Sequence, residues 1–144
     1  MTDCVVKVLK GHYGEHRLPS GEPAYWELGV AAQRVRTNAY NSQQQVPIDR
    51  RQPKEAYLHI LDLKEIVEQS ENWPHFEAMF NVPLPGERRG SKKYHTAWIA
   101  KFNELRNTAA HENALRTYSD DDLEFIDWLR SDVAPNIEAE LQRR

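Results

Sequence analysis

Apolar side chains recur at helical spacing along most of the chain and at strand spacing almost nowhere. From Ala24 to about Tyr40, the positions Leu28, Ala31, Val35 and Ala39 return every three or four residues, which predicts a first amphipathic helix. A polar linker follows, Asn41 to Gln52 with Pro47 inside it. Pro53 then stands where a helix can begin without needing its amide. Ala56, Ile60, Leu63 and Val67 make a stripe down one face, widened by Tyr57 and Leu61, and predict a second helix. Trp73-Pro74 opens a short helical piece through about Phe80, with Phe76, Met79 and Phe80 toward the core. The segment from Pro83 to Gly90 breaks regular structure. A long helix is expected from about Ser91 to Glu112. On it Trp98, Phe102, Leu105 and Ala109 fall within about 60° of one another at about 100° per residue, so they are expected inside. The last helix is expected to start at Ser119, whose hydroxyl can cap the amides near Asp122. It should display Phe125 or Ile126, Leu129 and Val133 before Pro135.

Residues 1–22 depart from this pattern. They hold one short β-prone run, Cys4 to Leu9, followed by Gly11, Gly14, Pro19, Gly21 and Pro23. The reading is therefore an irregular arm over 1–23 and a helical domain over 24–144. The fold class is all-α, a bundle of four to five helices. At 144 residues one core is the default.

Composition narrows the partners. Hydrophobic residues make up 40% and charged residues 28%, too apolar for general disorder, and no run is long enough to span a bilayer, so no membrane association is expected. The amino terminus lacks the long apolar centre of a secretory signal, and the single Cys4 cannot form an internal disulfide. Both point to the cytoplasm. A formal net charge of -3 argues against nonspecific coating of nucleic acid, which needs many Lys and Arg contacts, but leaves room for a local site. The densest basic patch is Arg88, Arg89, Lys92 and Lys93, just before the long helix.

That helix carries the candidate chemistry, in the run Arg106-Asn107-Thr108-Ala109-Ala110-His111. Opposite the apolar stripe, Glu104, Asn107 and His111 cluster, because spacings of four and seven return to one side. Arg106 lies nearer the apolar edge, about 140° from His111 on an ideal helix. One straight helix cannot aim both groups at one atom. Either Arg106 reaches around, or the helix is distorted near Ala109-Ala110, or a second copy of the chain completes the site. Imidazole titrates near neutral pH and moves protons, while guanidinium stays charged and grips phosphate oxygens in pairs. Asn107 offers an amide to orient a ribose or phosphate oxygen. These types suit RNA cleavage, with no metal set and no cofactor.

At these residues the chain resembles the HEPN family of helical domains, whose mark is Arg-Asn-x-x-x-His on a late helix. Arg106, Asn107 and His111 match that form in full. The flanking pattern looks most like the HEPN module at the carboxyl end of a class of endoribonucleases and in bacterial defence proteins. It covers about residues 53–134. The resemblance implies a HEPN-type bundle acting as a metal-independent endoribonuclease and homodimer, with Arg and His of two protomers lining one cleft. It also implies attack of the ribose 2'-hydroxyl on the adjacent phosphate, His111 moving the proton and Arg106 stabilising phosphoryl charge. A toxin or antiviral effector with a regulatory or antitoxin partner is the implied setting. The alternative is a noncatalytic module that dimerises or binds a partner through the same face.

Other candidates read as structural. His12, Glu15 and His16 lie in a stretch broken by Gly11 and Gly14, so a loop outweighs zinc. His59 reads as a partly buried, hydrogen-bonded histidine beside the second helix's stripe. Asp120, Asp121, Asp122 and Glu124 fall in a first helical turn, where negative charge favours the helix dipole over a cation site. Trp26, Trp73, Trp98 and Trp128, spread over four segments, fit packing better than base stacking.

Overall fold

A computed structural model describes residues 1–83, 92–110 and 118–144. Secondary structure among them is helical, with no strand beyond a lone antiparallel bridge between Arg17 and Pro23. No described helix is long and apolar enough to cross a membrane. The chain divides into two compact units, Met1–Trp73 and Pro74–Arg144.

The amino-terminal unit opens with α1 (Thr2–Tyr13), where a strand had been expected over Cys4 to Leu9. The arm 1–23 is accordingly not irregular throughout. The apolar run reads either way in isolation, but Cys4, Val5, Val8 and Leu9 are the buried set, and spacings of one and four define a helical face. Gly14, at a φ of 84°, ends α1, and its amide bonds the Lys10 carbonyl at 2.9 Å.

The single helix expected over Ala24 to Tyr40 is interrupted. It splits into α2 (Ala24–Glu27) and α3 (Gln33–Gln44), leaving Leu28 and Ala31 exposed while Val35 and Ala39 are buried. Gly29 marks the break. A Cβ there would meet the Tyr25 carbonyl oxygen at 2.4 Å and the Leu9 side chain at 2.9 Å, so the close approach to α1 requires glycine.

Pro53 opens only a 3-10 turn, Lys54–Tyr57, and α4 (Ile60–Glu68) begins later than expected. There the Asp62 carboxylate accepts from the His59 amide at 2.9 Å. His59 is exposed rather than partly buried, because it occupies the cap position outside the first turn. Leu63, Ile66 and Val67 carry the buried face of α4, and Ala56 and Leu61 are exposed.

Asn72 ties this unit together. Its side chain is 1% exposed and its amide nitrogen bonds the carbonyls of Gly29 and Ile66, both at 2.8 Å. Its amide oxygen accepts from the Tyr13 hydroxyl at 2.7 Å. One side chain thus satisfies groups from α1, the α2–α3 junction and the end of α4.

The carboxyl-terminal unit contains α5 (Trp73–Phe80) from Pro74 onward, α6 (Lys92–Ala110), α7 (Asp120–Trp128) and α8 (Ala134–Gln142). Phe76, Met79 and Phe80 are fully buried, as their spacing predicts. The Phe80 ring lies 5.9 Å from Trp98 of α6. Ser119 caps α7, accepting from the Asp122 amide at 3.2 Å, and the Asp122 carboxylate accepts from the Ser119 amide in return. The helix does not stop before Pro135. A π-helical turn, Leu129–Val133, joins α7 to α8, and Pro135 falls in the first turn of α8, just after that turn. Asn136 then bonds the Ala78 and Met79 carbonyls at 2.9 and 2.8 Å, closing the last turn of α5.

Candidate functional site

Arg106 and Asn107 lie on the last turns of α6 and both are exposed. His111 lies outside the described residues, as do Arg88 and Arg89 of the basic patch, while Lys92 and Lys93 open α6. Arg106 is therefore placed with Asn107 on one helix, and the third member follows one residue beyond Ala110.

The face that α6 buries differs from expectation. His95, Thr96, Trp98, Ile99 and Leu105 are buried, whereas Phe102 is 37% exposed and Ala109 is exposed. On an ideal helix Arg106 lies on the line midway between His95 and Ile99, with Phe102 and Ala109 close to one side of it. The line that packs at His95 and Ile99 thus runs on into solvent at Phe102, Arg106 and Ala109, while Leu105 beside it stays buried. Spacing alone predicts a core face along a whole helix, but packing needs a neighbour at every turn. Lys101, at 4.6 Å from the Phe125 ring centre, holds α6 against α7, and the Thr108 hydroxyl bonds back to the Glu104 carbonyl at 3.0 Å.

Three of the residues weighed as metal ligands have other contacts. Glu15 pairs with Lys10 at 3.0 Å, and the His12 ring meets Tyr13 edge-on. Asp122 is spent in the Ser119 cap. Trp26, Trp98 and Trp128 are buried in the two units.

A groove in the amino-terminal unit has no counterpart in the sequence reading. Tyr25 and Trp26 line its floor and Tyr40 its rim, and the Lys54 ammonium stands 6.0 Å from the Trp26 ring centre and 5.9 Å from that of Tyr40, paired with Glu22. Arg17 and Arg36 flank it. These residues come from the loop after α1, from α2 and α3 and from the turn after Pro53, so no local motif announces them. The one available signal was a mixture of Arg, Lys and aromatic residues spread over the arm, the expected first helix and the start of the expected second.

Tyr25 donates to Glu55 at 3.2 Å, and burial, then the Glu55 charge, push its hydroxyl up to about 12. A tyrosine held protonated above its ordinary value of about 10 adds stability that is complete below pH 10 and is lost as the pH rises toward 12. Alkaline titration of unfolding should therefore show a falling limb between pH 10 and 12. Tyr25→Phe should flatten that limb, and an unchanged limb would contradict the role given to Tyr25.

Comparison of the chain with known protein families, with curated proteins and with solved structures gave no match.

Proposed function

We propose that this protein is a metal-independent endoribonuclease of HEPN type that works as a homodimer, with Arg106, Asn107 and His111 at its site. The supporting observation is the exposed face around Arg106 in the second half of α6. There Arg106 stands in solvent on the line of the buried stripe, with Phe102 and Ala109 beside it, whereas Ile99 and His95, about two and three turns earlier on the same line, are buried. An exposed aromatic beside a phosphate-gripping group suits a contact between two copies that brings the arginine of one to the histidine of the other.

In the reaction, the 2'-oxygen of a ribose attacks the adjacent phosphorus while His111 of one protomer accepts its proton. Arg106 balances the charge that builds on the non-bridging oxygens. The bond to the 5'-oxygen breaks, and that oxygen takes up a proton. The products are a 2',3'-cyclic phosphate and a 5'-hydroxyl end. Such cleavage suits a toxin or antiviral effector restrained by a protein partner.

The test is cleavage of end-labelled single-stranded RNA by the purified chain with chelator present, reading the chemistry of the new ends. Cyclic phosphate products are expected, and chelator should leave the rate unchanged. Absence of cleavage at every pH and ionic strength tried would install the noncatalytic dimerisation or partner-binding reading instead. Phe102→Glu should shift sedimentation from dimer to monomer and lower cleavage with it. A wild-type chain that sediments as a monomer at high micromolar concentration would remove the dimer from the proposal.

A further inference from the structure

The groove of the amino-terminal unit consists of two open cavities, about 240 and 230 Å³, that share Glu22, Trp26 and Lys54. Arg17 lines the first and Arg36 the second, so three cations stand along it with the Lys54 ammonium between the guanidiniums. Among the described residues neither arginine has a carboxylate partner. Arg17 donates to the Gly21 carbonyl, and Arg36 to the Glu27 carbonyl at 3.5 Å and the Gln33 amide oxygen at 2.8 Å. These bonds position the two guanidiniums and leave their charge unneutralised. Three positive groups face two carboxylates, Glu22 and Glu55, so the groove is locally positive on a chain whose formal net charge is -3.

The floor decides which anion fits. Tyr25 and Trp26 are buried, but Tyr40 is 49% exposed at the rim. Cations along an aromatic floor match a strand of phosphates carrying flat bases. An acidic peptide satisfies the cations and leaves the ring bare, and a duplex offers no unpaired base face.

We propose that this groove binds a single-stranded polynucleotide, with phosphates on Arg17, Lys54 and Arg36 and an unpaired base against the Tyr40 ring. That the natural strand is RNA rests on the endoribonuclease reading. The phosphate and base contacts are common to RNA and DNA. Glu22, by pairing with Lys54, holds back part of the groove's charge, so its removal should strengthen binding.

The experiment is fluorescence anisotropy of labelled eight-nucleotide strands with the intact chain: 2'-O-methyl RNA, which cannot be cleaved through the 2'-oxygen, the matching DNA, and an abasic strand. For three phosphate contacts the logarithm of affinity should fall with the logarithm of salt with a slope of about -2. Arg17→Gln with Arg36→Gln should weaken binding about tenfold or more at low salt and flatten the slope, with helicity by circular dichroism unchanged. Glu22→Gln should bind severalfold tighter. Tyr40→Leu should weaken binding of base-bearing strands about five- to a hundredfold and leave the abasic strand unaffected. Unchanged affinity in the double arginine variant, abasic binding as tight as the base-bearing strands, or no binding of any strand would each overturn the proposal. Groove-dependent binding by a chain that cleaves no RNA would sink the endoribonuclease reading and leave the groove standing. Cleavage together with binding indifferent to the arginine substitutions would sink the groove alone.

Discussion

His111→Ala is expected to lower RNA cleavage about 10² to 10⁴-fold while helicity and thermal unfolding stay as in the wild type. The imidazole is the group in the Arg106-Asn107-x-x-x-His111 run able to accept and release a proton near neutral pH, so its loss removes the proton carrier from the transition state. Arg106 fails differently if its part is electrostatic. Arg106→Lys keeps the charge and loses the planar fork, and should retain more activity than Arg106→Ala. Arg106 is exposed on α6, so neither change removes a packing contact from the core. Mixing the inactive His111→Ala and Arg106→Ala chains adds a sharper test. In a dimer whose site pairs Arg106 of one copy with His111 of the other, heterodimers hold one intact combination and should regain part of the activity. If His111→Ala cleaves as fast as the wild type, the catalytic assignment is wrong.

Asn72→Leu is expected to be the most damaging substitution for the amino-terminal unit, costing about 3–5 kcal/mol. The leucine has similar bulk, but it strands the Gly29 carbonyl and the Tyr13 hydroxyl and leaves the Ile66 carbonyl only the long bond from the Gln69 amide at 3.4 Å. Each buried polar group left without a partner costs about 1–3 kcal/mol. Asn72→Asp keeps the shape and the acceptor for Tyr13 but puts a carboxylate against two carbonyls, and should also destabilise strongly. Urea unfolding followed by circular dichroism measures both. A loss under about 1 kcal/mol for Asn72→Leu would mean that these groups find other partners and that the hub is not what joins the three segments.

Legibility varied by element, for physical reasons. The face of α5, the burial of Phe125 and the Ser119 cap could be read directly, because each depends on residues within one or two turns, whereas Leu129 is only partly buried and Trp128 takes its place. The α6 stripe was half right. Trp98 and Leu105 are buried as expected, but Phe102 and Ala109 are not, since no spacing rule reports where a neighbouring helix ends. The run Cys4 to Leu9 was misread because β-branched residues raise strand propensity, while the chosen structure follows which neighbours cover them. Pro135 was read as a stop, yet a π turn before it lets the helix resume.

Of the candidate site residues, Asn107 is exposed as its place opposite the apolar stripe implies, whereas the exposure of Arg106, on the line of the buried stripe, was not given by spacing. The groove could not, since Arg17, Arg36 and Lys54 meet only after the loop at Gly21, the break at Gly29 and the turn at Pro53 fold back on one another. By itself the amino-acid sequence determined the helical class, the cap at Ser119, the apolar face of α5 and the Arg106-Asn107-x-x-x-His111 run, all set by interactions within a few residues. Only the tertiary structure decided the helical state of the first segment, the division after Trp73, the solvent exposure of Phe102 beside Arg106, and the cation-lined groove. Each of these depends on contacts between residues far apart in sequence, such as Tyr13 with Asn72 and Gly29 with Asn72, whose loop-closure cost and packing gain are settled by the whole chain and not by any window of it.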